Sequence, residues 1–156
     1  MQIEAEQAFT LEFLGTPESA LAFLRGPARS LAGVRFLRDL HVSGPEVRAV
    51  LVVNVPMLGE TLLPLHSRLV HTEQGARLEA RPVEGERAWI ELSGEGTADG
   101  HLLSYHFRFT AHIEMPSAEK WGGAAFEKMV RSAAERTLAR LARELPEGIG
   151  RGMTET

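Results

Sequence analysis

The chain has no cysteine, which excludes disulfide bridges and thiolate metal sites and agrees with a reducing compartment. It also lacks a basic excess. Lys and Arg number 17 against 21 Asp and Glu, for a formal net charge of −4. Such a balance favours solubility and supplies no basic face for nucleic acid. No stretch approaches the roughly 20 apolar residues that span a bilayer, so an integral membrane protein is not expected. The first residues, MQIEAEQAFTLEF, carry acids early and no apolar run of signal-peptide type, so the expected location is the cytoplasm. Catalytic signatures are missing too. There is no HExxH, no GxSxG elbow, and no glycine-rich loop between strand and helix followed by a Walker lysine.

What remains is an ordinary globular composition: 156 residues, 44% hydrophobic and 24% charged. That length buries most of its apolar surface in one domain, read here as residues 1–149, with 150–156 as a disordered tail. Residues Gln2 to Leu14 alternate, with Ile3, Ala5, Phe9, Leu11 and Phe13 on one side and Glu4, Glu6, Thr10 and Glu12 on the other, as a half-buried strand does. Thr16-Pro17-Glu18 starts a helix, since Thr caps, Pro suits the first turn and Glu favours the positive end of the dipole. Gly26-Pro27 breaks it, and a second short helix runs from Pro27 to Ala32.

From Val34 the period becomes two, with Val34, Phe36, Leu40 and Val42 on one face. Ser43-Gly44-Pro45-Glu46 is a turn. Strands are expected at Val47–Met57, Thr61–Thr72, Ala76–Val83, Arg87–Thr97 and His101–Glu114, with short connections that argue for an antiparallel meander. The middle of Val47–Met57 is apolar on both faces, which suggests a strand that is central or covered on both sides. After Met115-Pro116, with Ser117 as cap, one long amphipathic helix is predicted from Ala118 to Leu145, ended by Pro146 and Gly148.

Strand, two short helices, six strands and a long C-terminal helix is an order that resembles the START-like (SRPBCC, helix-grip) superfamily. The resemblance rests on Thr16-Pro17-Glu18, on Gly26-Pro27 and on the single helix after Met115-Pro116. It implies an α+β fold: a curved antiparallel sheet of about seven strands around the helix. It also resembles a bacterial family of uncharacterised function within that superfamily. Such proteins generally hold hydrophobic small molecules between sheet and helix, and only some are enzymes, so the fold does not decide the activity.

Six histidines invite a metal reading. His106 and His112 share a strand face, but they lie about 20 Å apart along an extended strand, too far to share an ion. No metal, cofactor or catalytic residue is assigned. Gly94-Glu95-Gly96 reads as a bend in a curved sheet. Gly122-Gly123, near the start of the long helix, implies close backbone approach or a kink. The inward strand phase carries Phe36, Leu51, Leu63, Ile90 and Leu92, and with them Gln7, Arg38, Ser67 and the Tyr105 hydroxyl. Buried polar groups of that kind pair with one another or meet the polar end of a ligand, whereas a phase slip at a bulge would instead put Arg38 in water.

The expected function is to bind or carry an apolar small molecule, such as a lipid, a quinone or a polyketide-like ring. The site is expected at Arg38, Val53, Leu65, Tyr105, Phe107, Phe109, Phe126, Met129, Val130 and Ala133, around a pocket of roughly 300 Å³ or more. Two alternatives stand beside it. One is a cyclase- or hydratase-type enzyme that polarises a carbonyl through Arg38, Tyr105 or a histidine. The other is a filled-core protein-interaction module with Trp89 as an exposed anchor. Homodimerisation is left open.

Overall fold

The computed structural model describes residues 1–56, 59–114 and 123–154. Seven strands form one antiparallel sheet in the order β1-β7-β6-β5-β4-β3-β2. They are β1 (Gln2–Glu12), β2 (Leu37–Ser43), β3 (Glu46–Val55), β4 (Gly59–Thr72), β5 (Gly75–Arg81), β6 (Ala88–Asp99) and β7 (Leu102–Ile113). Between β1 and β2 lie α1 (Pro17–Leu24) and α2 (Pro27–Ser30), and after β7 come α3 (Ala124–Arg143) and α4 (Leu145–Thr154). The architecture is the expected α+β helix-grip one, a curved sheet closed by its C-terminal helix. Among the described residues no helix is long and apolar enough to cross a membrane.

Local chemistry sets the elements where the pattern said it would. The Thr16 side chain accepts the amide of Ser19 at 3.0 Å and Pro17 occupies the first turn of α1. β3 is an inner strand, between β4 and β2, as the first of its two expected settings had it; it alternates buried and less buried positions from Val47 to Val55, so its second face is only partly covered. Arg25 ties the end of α1 to the sheet: its guanidinium donates to the carbonyls of Gly75 at 3.0 Å and Thr72 at 2.6 Å.

Two segments differ from the sequence reading. The strand expected from Val34 begins only at Leu37, and a bulge between Arg38 and His41 places Asp39 at φ +54°. One extra residue inverts the phase of what precedes it. Leu37 is therefore buried and Arg38 faces solvent rather than the interior, while Phe36, also buried, precedes the strand. The second difference is at the C-terminus. Instead of a disordered tail from residue 150, α4 continues to Thr154, with Leu145 and Ile149 fully buried. Pro146 is at home in a first helical turn, so it opens this helix as well as following α3. Gly148 is a packing residue: a Cβ on the facing Gly33 would come within 2.4 Å of its carbonyl oxygen. Arg29 donates to the carbonyls of Gly152 and Met153, and Arg151 to that of Gly33, which fastens α4 to the α2 region.

α3 lies across β1 and β3. Its buried stripe is Val130, Ala133, Ala134, Thr137, Leu138, Leu141 and Ala142. Met129 is one residue, about 100° of rotation, before Val130, and it is 51% exposed. The predicted start at Ala118, its cap Ser117, and Gly122 lie outside the described residues, where α3 begins at Ala124 after Gly123.

Candidate functional site

Two glycines of β6, Gly94 and Gly96, make room for aromatic rings of β7. A Cβ on Gly94 would come within 2.8 Å of the Phe107 ring, and one on Gly96 within 3.2 Å of the Tyr105 ring and 2.7 Å of Leu24. Without side chains at these positions, the rings of β7 lie against the β6 backbone. Phe9 of β1 extends the stack, at 5.2 Å from Tyr105 and 6.2 Å from Phe107. Ser67 closes the bend from β4, donating its buried hydroxyl to the Leu92 carbonyl at 2.6 Å.

Against this aromatic floor, α1 and α2 leave a cavity of about 30 Å³, lined by Leu24, Pro27, Leu31, Leu69, Leu78, Tyr105 and Phe107 together with Ser30 and the glycines. The Tyr105 hydroxyl is buried and has no hydrogen-bond partner among the described residues. Burial also raises its pKa well above the ordinary phenol range, so it stays protonated and is a hydrogen-bond donor. An apolar wall with one unsatisfied donor suits a mostly hydrophobic molecule that carries one acceptor.

Where Val53 meets α3, little space remains among the described residues. Between Ile3, Val53, Val55 and Leu63 of the sheet and Ala134, Thr137 and Leu138 of α3, the remaining cavity is about 10 Å³. Alanines on the buried face of α3 let the helix settle close to the strands, since helix packing distance follows the side chains at the contact. Of the predicted site residues, Tyr105 and Phe107 line the α1–α2 cavity, and Val53 lines the filled space. Leu65, Phe109, Val130 and Ala133 are buried, with Phe109 edge-on to Phe36 at 6.2 Å, and Phe126 is half-buried against the core. Arg38 and Met129 are exposed and belong to neither space. Strand phase marked the lining residues Leu69 and Leu78 as buried but not as part of a site, and Leu24 and Leu31 were not assigned to one; the Gly94-Glu95-Gly96 bend was read from sequence only as a bend, although it is the signal that could have found the place.

Three of the histidines, His66, His106 and His112, lie on the other face of the sheet and meet carboxylates. His66 meets Glu46 at 3.0 Å, His112 meets Glu91 at 2.8 Å, and His106 stands 3.7 Å from Glu6. The hydrogen bond from His66 lowers the Glu46 pKa, and the one from Arg108 lowers that of Glu6. Trp89 is half-buried and stacked on His112 at 4.1 Å, so it is not the free anchor expected of an interaction module. Among the described residues, no group of three or more His, Asp or Glu is placed to hold a metal ion.

Comparison with known proteins adds a family and a fold. A family model described as "Protein of unknown function (DUF3809)" matches residues 8–143. No curated protein matches the chain. Among solved structures, the chain is similar to TTHA0849 from Thermus thermophilus at 15% identity and a TM-score of 0.54, over 97% of this chain and 98% of that one. A conserved protein from Geobacillus kaustophilus is 13% identical, with a TM-score of 0.53 over 96% of each chain. The Zhui aromatase/cyclase from Streptomyces sp. R1128 is 15% identical, with a TM-score of 0.50 over 97% of this chain and 94% of that one. At these identities the likeness is one of fold, of the START-like, polyketide-cyclase type.

Proposed function

The chain belongs to the DUF3809 family, and we propose that it binds an apolar small molecule bearing one hydrogen-bond acceptor, at the α1–α2 end of its curved sheet. The observation that carries this reading is the buried Tyr105 hydroxyl without a partner, set in an apolar wall. A buried unpaired hydroxyl costs about 1–3 kcal/mol, a cost relieved when a ligand carbonyl or ether accepts from it. The cavity of about 30 Å³ holds no more than a water-sized group. Entry of a lipid, quinone or polyketide-like ring therefore requires α1 and α2 to swing from the sheet. Among solved structures of the same fold is a protein named as an aromatase/cyclase, which supports a hydrophobic ligand class. A cyclase- or hydratase-type reaction has less support, because Arg38 faces solvent, the charged lining residues Arg77 and Glu95 are exposed, and no histidine lines the cavity.

The filled space beneath α3 favours a second reading, a filled-core module that works through its surface. The Tyr105→Phe variant separates the two. Titrated with a naphthoquinone and with naphthalene, it is expected to weaken the quinone by about three- to tenfold, the worth of one neutral hydrogen bond, and to leave naphthalene unchanged. Equal affinity of variant and parent for the quinone would remove Tyr105 from the site. Failure of the parent to bind either ring would favour the surface module.

A further inference from the structure

The second half of α3 presents three arginines to one groove. Arg136, Arg140 and Arg143 are exposed and, with Pro56, Ala133 and Thr137, line a groove of about 340 Å³ open to solvent. Among the described residues no carboxylate lines it. Some other cations of this acidic chain are engaged, Arg108 with Glu6, Arg68 with Glu46, Arg151 with Glu147, and Arg25, Arg29 and Arg131 with backbone carbonyls, while others, Arg35 and Arg38 among them, have no such partner among the described residues. Among the described residues, Arg136, Arg140 and Arg143 have neither ion pair nor hydrogen bond.

Like charges three and four residues apart on a helix repel and destabilise it. Arg140 and Arg143 lie in the last turn, where the helix dipole favours cations, but Arg136 lies a full turn earlier and gains nothing from it. The dipole also gives no reason for all three to open on the same groove. The trio spans about 10 Å of helix axis, more than one phosphate covers at backbone level and well matched to a diphosphate or to a phosphate with a second anionic group. Guanidinium forks recognise phosphate oxygens with two parallel hydrogen bonds each.

We propose that this groove is a binding site for a phosphate-bearing ligand, held by Arg136, Arg140 and Arg143. It is separate from the apolar cavity at the α1–α2 end, and its failure leaves that reading untouched. The probes are inorganic diphosphate, titrated calorimetrically in low-salt buffer, and vesicles of phosphatidylcholine with and without phosphatidic acid. The variants are Arg136→Gln/Arg140→Gln and, as a control away from the groove, Arg35→Gln. All three proteins are compared by circular dichroism to establish that the fold is retained. Diphosphate binding that falls about tenfold or more in the double variant and not in the control supports a soluble phosphate ligand. Selective binding to phosphatidic acid vesicles, lost in the same variant, supports a lipid phosphate. Absence of binding to both probes, or binding that the double variant retains, would overturn the site.

Discussion

The Ser67 hydroxyl is buried and donates to the carbonyl of Leu92 at 2.6 Å, so a single side chain joins β4 to β6 across the bend. Ser67→Ala removes the donor and leaves that carbonyl in apolar surroundings, which is expected to cost about 1–2 kcal/mol. Urea unfolding measures it, with the half-buried Ser93→Ala as comparison. A midpoint unchanged from the parent would show that the bond does not hold the bend. That Ser67 is buried was legible from strand phase, and so was the burial of Tyr105. For Arg38 the sequence left two outcomes, an inward cation or a phase slip at a bulge, and the extra residue at Asp39 decides for the second; a period-two count alone does not locate it.

At the scale of elements, the close crossing of β5 and β6 gives the sheet its shape. Gly75 meets Gly96 so tightly that a Cβ on Gly75 would lie 1.9 Å from the Gly96 carbonyl oxygen. Gly75→Ala therefore has to push the strands apart, and is expected to lose about 2–3 kcal/mol of stability. Gly150→Ala in α4 provides the opposite case. Nothing lies within 4 Å of its added Cβ, so the helix gains about 0.5–1 kcal/mol. Thermal melts of both variants check the pair; a Gly75→Ala melting temperature equal to the parent's would contradict the crossing. Sequence periodicity was sufficient for all seven strands and for α1 and the body of α3. It did not find α4, because Pro146, Gly148 and Gly152 carry the same letters that end helices, and only their packing against Gly33 and Arg29 reveals the other use.

On the scale of the whole molecule, the proposed site lies at the α1–α2 end and not under α3, where the fold resemblance put it. Alanines bring α3 down on the sheet until about 10 Å³ remains, while the glycines of β6 and the short helices α1 and α2 leave about 30 Å³ beside an unpaired hydroxyl at the other end. Sequence supplied both aromatic rings of that site and could not supply its place, since how closely a helix approaches a sheet depends on contacts made far along the chain. Backbone hydrogen exchange with and without a naphthoquinone tests this placement most directly. The account predicts exchange altered in Leu24–Leu31 and Gly94–Gly96 and unchanged along Val130–Leu141. Protection confined to Val130–Leu141, with α1 and α2 unaffected, would place the ligand under the long helix and contradict it.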